Sequence, residues 1–206
     1  NQNTTSDCAR ITLAAPSTVL RPGAVAKLMS TDQQAGLEPG KGRGEFVHIQ
    51  AVEGNGTIAV TTARLANAYL TGIKLVILDP AKVIDVAGIR FRTTSFDTAV
   101  AQNWAFAFLR IFGAVAPSVR GVRMRDGTDI GVQFQACIGH RSQGVQVRRM
   151  RNAIDTVSAG YGIQDGGCAY GNHDGGYFED CRHGYTTVGH TTATNPAAAI
   201  GRNVGT

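Results

Sequence analysis

Between His173 and His190 the chain gathers three His, two Asp, a Glu, an Arg, a Cys and two Tyr. Glycoside hydrolysis needs two carboxyl groups roughly 5 to 9.5 Å apart. Glu179, Asp174 and Asp155 are the candidate catalytic carboxylates, as Asp174 with Glu179 or Asp155 with Glu179. Glu179 and Asp180 are neighbours in a strand-like run and point to opposite sides, so they cannot form the pair. A polysaccharide lyase would use an Arg or Lys base beside a calcium-binding acidic cluster, and no such cluster is evident. His173, His183 and His190 are spaced by 10 and 7 residues, which fits no helical or hairpin ligand pattern, so neither metal nor cofactor is expected. No G-x-S-x-G nucleophile motif occurs. "LEPGKGRGE" (37–45) has the look of a phosphate loop but lacks a Ser or Thr after Lys41, and it is expected to be a Gly-rich turn.

The elements that must carry these groups are short strands. From Glu45 onward, apolar runs such as "EFVHIQAV", "GTIAVTT", "GIKLVILD" and "KVIDVAGIRF" are broken by Gly, Asn-Gly and Asp-Pro. The second half repeats. "GVRM", "GVQV" and "GGYF" start at Gly121, Gly144 and Gly175, steps of 23 and 31 residues, and Gly127, Met150 and Cys181 then share one position. A second series, "DIGVQF" (129–134), "NAIDTV" (152–157) and "HGYTTV" (183–188), advances by the same steps, and "GYGIQ" (160–164) would begin a further face. "GIKLVI" (72–77) and "GIRFRT" (88–93) are looser earlier members. Two series advancing together predict stacked coils, each with two or three strands. The fold class expected is therefore all-β: a right-handed parallel β-helix over residues 46–206, preceded by an irregular segment over residues 1–45.

Alternation then places Val122, Met124, Val145, Val147, Gly176 and Phe178 inward. Arg123, Gln146 and Tyr177 form one outward column, and Arg125, Arg148 and Glu179 the next. Such a face suits a sugar polymer. Tyr offers a ring to the sugar's C–H face, while Arg and Gln bond hydroxyls or carboxylates. Gln146, Arg148, Tyr177, Arg123 and Arg125 are the candidate glycan-binding residues. The alternative is a solvated solenoid face with a charge ladder.

Composition agrees with many strands and tight turns: 43% hydrophobic residues and 26 Gly against 6 Pro in 206 residues. A net charge of +5 suits an acidic partner or a plain soluble surface. Cys8, Cys137, Cys168 and Cys181 match no zinc spacing and are expected to be free, mostly buried thiols, the alternative being a single disulfide. The most apolar run, "WAFAFLRIFGAVA" (104–116), is interrupted by Arg110 and is too short to span a membrane. The chain opens at Asn1 and stops in "GRNVGT", as a piece cut from a longer polypeptide would.

"DCRHGYTTVG" (180–189), taken with "GYGI" (160–163), resembles the β-helix rungs of bacteriophage tail spikes and preneck appendages in the broad pectate-lyase-like superfamily. The match lies in Cys181-Arg182-His183, Tyr185, Thr186 and Thr187. The resemblance implies that Cys181 points inward and that Arg182 and His183 bridge rungs by hydrogen bonds. It also implies a virion tail component, typically a homotrimer among other tail proteins, that binds host surface polysaccharide during adsorption. No nucleic-acid or membrane partner is expected. The alternatives are an extracellular polysaccharide lyase, hydrolase or epimerase on the same fold, and a purely structural virion protein.

Overall fold

A computed structural model describes residues 7–33, 42–78, 83–92, 107–127, 129–150 and 160–188. Contacts divide it into a first unit up to Lys82 and a second from Val83 to Val188. Among the described residues there is no helix long and apolar enough to cross a membrane.

The first unit is an antiparallel sheet of β1 (Arg10–Thr12), β2 (Val25–Gln33), β3 (Gly42–Glu53), β4 (Ile58–Thr61) and β5 (Lys74–Leu78), in the order β1-β4-β3-β2-β5. This corrects two expectations. Residues 10–12 and 25–33 are strands rather than irregular chain, and residues 46–78 are not coils of the solenoid. "GIKLVI" supplies β5, which runs antiparallel to β2 with Ala26 opposite Ile77, so it is no member of the parallel repeat. Alternation marks a strand but not its partner's direction, which is why the two sheets look alike in sequence. Leu20, Ala24, Ala26, Val47, Ile49 and Ala59 form the core of this unit. Glu45 and Asp32 tie down the 62–73 loop. Glu45 accepts hydrogen bonds from the Ala66 and Asn67 N–H groups and the Tyr69 hydroxyl, and Asp32 accepts from the Leu70 and Thr71 N–H groups. Those donors hold the Asp32 carboxyl down at about 2.

The second unit is a parallel β-helix of four coils. Each coil gives one strand to each of three faces. The first face holds β6 (Asp85–Ala87), β9 (Ser118–Arg120), β12 (Arg141–Gln143) and β15 (Asn172–Asp174). The second holds β7 (Arg90–Arg92), β10 (Arg123–Gly127), β13 (Gln146–Met150) and β16 (Tyr177–Cys181). The third holds β8 (Ala107–Phe112), β11 (Ile130–Gln135), β14 (Tyr161–Gly166) and β17 (His183–Val188). Every pairing in these faces is parallel.

The repeat expected on the second face is present residue for residue, with Met124 opposite Val147 and Val147 opposite Phe178. "GIRFRT" joins it through Phe91 opposite Met124. The second series needs correction. Residues 152–157 lie outside the described residues, and the place assigned to them on the third face is held by Tyr161–Gly166, between β11 and β17. "GYGIQ" therefore belongs to that face rather than to a new one. The face that was missed is the first, whose strands have three residues each.

The corners explain the steps. Two residues separate first-face from second-face strands in all four coils, and five residues separate each third-face strand from the next first-face strand. The corner from second to third face holds 14, 2, 10 and 1 residues in successive coils. Fixed corners need a fixed backbone. Gly88, Gly121, Gly144 and Gly175, at the two-residue corner, all have φ between 58° and 68°, where a side chain is costly.

Inside, Ile111, Val119, Val122, Met124, Val132, Phe134, Val145, Val147, Met150 and Ile163 form one core with Cys137 and Cys168. Phe178 is only partly buried, and three glycines make room for its ring. A Cβ added at Gly162, Gly176 or Gly184 would lie 2.3, 2.7 or 2.9 Å from it. Gly176, expected inward at the position of Val122 and Val145, turns toward the Phe178 ring but is itself exposed in this last coil.

Candidate functional site

Two outward columns cross the second face. One runs Arg90, Arg123, Gln146, Tyr177, and the other Arg92, Arg125, Arg148, Glu179. Stacked strands set neighbouring members about 4.8 Å apart. All five candidate glycan-binding residues lie here, joined by Arg90 and Arg92, which the sequence pattern could have supplied through "GIRFRT". Arg90, Arg92, Arg123, Arg125, Gln146 and Arg148, with Phe91 and Met124, line a concavity of about 410 Å³.

Stacking arginines directly over one another sets like charges against each other, and acids relieve one column. The Asp126 carboxylate, buried at the edge of the face, pairs with Arg92 at 3.2 Å, with Arg125 at 3.5 Å and with Arg149. Arg148 pairs with Glu179 at 3.2 Å, and its guanidinium lies 5.1 Å from the centre of the Tyr177 ring. The Tyr177 hydroxyl donates to Glu179 at 3.2 Å. Tyr177 is 47% exposed, so a ring already held by a cation and an acid still presents a face to solvent.

The candidate catalytic carboxylates are not brought together on this face. Glu179 is the one carboxylate in the two columns. Asp174 ends β15, on the first face, whose outward residues Ser118, Arg120, Arg141, Gln143 and Asn172 line a separate concavity with it. Asp155 lies outside the described residues.

A second cluster, inside the coil, escaped the sequence. Asp165 stands at the position of Phe134 one coil below, in the interior. His140 Nε2 lies 2.7 Å from its Oδ2, His173 Nε2 lies 3.0 Å away, and the Tyr185 hydroxyl donates to it at 3.0 Å. With His173 Nε2 donating, its Nδ1 accepts from Ser142 Oγ at 2.7 Å. Burial pushes the Asp165 carboxyl up, but the hydrogen bonds from both imidazoles outweigh that and hold it below the ordinary carboxylate value. The order Ser142–His173–Asp165 has the connectivity of a nucleophile relay, yet Ser142 is 4% exposed and its hydroxyl turns inward. His140, Asp165 and His173 also lie within ligand reach of one another. Their approach distances are those of shared protons, so the cluster is read as a hydrogen-bonded core element. Gly171 gives His140 its place, since a Cβ there would lie 2.3 Å from the ring.

The Cys-Arg-His element lies in the last coil. Cys181 is a free thiol in register with Met150 as expected, but it is half-buried rather than buried. The rung contact comes from the Arg182 backbone N–H, which donates to the Gly160 carbonyl at 2.7 Å, and from the His183 ring stacked 5.5 Å from that of Tyr161. His183 thus bridges coils through its ring. Cys137 and Cys168 are buried one above the other, with the Cys137 N–H donating to Cys168 Sγ at 3.4 Å.

Three faces of short parallel strands joined by two corners of constant length define a three-faced parallel β-helix. The chain is similar in fold to the tailspike protein gp49 of Pseudomonas phage LKA1, at 21% identity and a TM-score of 0.67 over 96% of this chain. It is likewise similar to the Pseudomonas phage phi297 tailspike gp61, at 19% identity and a TM-score of 0.70 over 95%. It spans about a third of the length of either, 32% and 30%. No protein-family model matches the chain, and no curated protein matches it by sequence.

Proposed function

We propose that this chain is part of a bacteriophage tailspike, carried on the virion tail among other tail proteins as a homotrimer, and that it binds host surface polysaccharide along the second face of its β-helix. The observation that carries the proposal is the pair of outward columns. Side chains repeating about every 4.8 Å along the coil axis form a ladder on which a linear polymer lies lengthwise. Tyr177 offers stacking area at low entropic cost, and Arg148 offers charge-assisted bonds. The fold shared with two tailspikes supports the setting; the columns support the surface.

The test is adsorption to host cells, or pull-down on their extracted polysaccharide, with Tyr177→Ala and Arg148→Ala. Both side chains are exposed, so both variants are expected to fold and to bind at least ten-fold more weakly. Undiminished binding by both would move the receptor site off this face. Glu179 has no second carboxylate in its columns, which favours adhesion over hydrolysis here. Depolymerisation that is abolished in Glu179→Gln, with binding retained, would instead make Glu179 an acid or base.

A further inference from the structure

We infer that the sugar polymer taken by the second face is acidic, and that one of its anionic groups, carboxylate or phosphate, sits between Arg90 and Arg123. This inference rests on the face being the glycan surface.

Within the ladder the arginines divide into two sets. Arg92, Arg125 and Arg149 spend their charge on Asp126, and Arg148 on Glu179. Arg90 and Arg123 are register partners in adjacent coils and meet no carboxylate among the described residues. Gln146 follows them in the same column. Two arginines are thus neighbours in one column with no carboxylate partner among the described residues, both lining the same 410 Å³ concavity. Like charges directly opposite each other in a sheet are destabilising, and an anion bridging them turns that repulsion into two charge-assisted, geometrically matched contacts. A neutral sugar would leave the repulsion in place. Asp126 shows the same solution within the protein, one carboxylate shared by three guanidinium groups.

The experiment measures binding of the protein to a panel of purified bacterial capsular and O-antigen polysaccharides that bear carboxylates, bear phosphates, or are neutral. Carboxylate-bearing binders are measured again after chemical reduction of their carboxyl groups, which separates the two sources of charge. Binding confined to acidic polymers, falling at least ten-fold in Arg90→Gln/Arg123→Gln and weakening as salt rises from 50 to 500 mM, is the expected result. Equal affinity for neutral polymers, or a double variant that binds as wild type, overturns it. Tyr177→Ala separates the two ideas. If it weakens binding to neutral and acidic polymers alike, the face stands and the charge preference falls. If neither Tyr177→Ala nor Arg148→Ala changes any binding, the face itself falls.

Discussion

Asp165 occupies a site that the coil below fills with Phe134, and it is tolerated there because its donors arrive with it. A buried ionised group is costly unless hydrogen-bonded, and His140, His173 and Tyr185 all point at one oxygen. Its folded-state carboxyl lies below the ordinary value of about 3.9. The sign follows from linkage. The ionised form is favoured by the fold, so the stabilisation is complete above the unfolded value and is lost as pH falls through that value toward the lowered one. Denaturant midpoints measured from pH 7 to pH 2.5 should show this loss in the wild type. In Asp165→Asn the loss should be smaller, and stability at pH 7 should be lower by on the order of 2 kcal/mol. The cluster was illegible in the sequence because its members come from a corner, β12, β14, β15 and β17, 8 to 31 residues from their hydrogen-bond partners. A rule based on His spacing along the chain could not find it. The outward columns were legible, because Arg123, Gln146 and Tyr177 recur at the same position after the same Gly.

Strands and corners carry different information. The second face could be read because three of its four strands have five residues, enough for alternation to show. The first face could not, because three residues between two corners show hardly any period. Residues 152–157 were drawn into the repeat because their spacing from the other two runs matched, although the third-face place belongs to Tyr161–Gly166. Corner geometry is the stricter signal, and it can be tested. Gly144, at φ 61°, would put an added Cβ no closer than 4.0 Å to its nearest neighbour, the Gly121 nitrogen, so Gly144→Ala should cost about 1–2 kcal/mol of stability from backbone strain alone. Tyr170 sits at the corner position held by Gly139 one coil below, with φ 54° and its side chain 61% exposed. Tyr170→Gly should therefore leave stability unchanged or raise it by up to about 1 kcal/mol. Thermal melts of the two variants check both directions.

Each coil of the second unit touches only its neighbours, so stability should be local along the stack. Phe178 fills the space left by Gly162, Gly176 and Gly184, and Phe178→Ala should be felt there first. Hydrogen exchange should show protection falling in β13, β14, β16 and β17 while β6, β7 and β8 keep theirs. A uniform loss would mean that the four coils unfold as one unit. The first unit was misread for a physical reason already visible in its strands: antiparallel and parallel partners demand the same alternation, so "GIKLVI" looks like a coil and is not one.

Two of the three corners never change length, while the third holds 14, 2, 10 and 1 residues in turn. The molecule therefore has a seam along which sequence can be inserted or removed without shifting a single column. For evolution, this means that the length of this corner can change beside the arginine ladder while the frame is inherited intact. For the engineer, residues 128–129 and 182 mark where a foreign peptide could be spliced in, with the strands on either side still finding their partners.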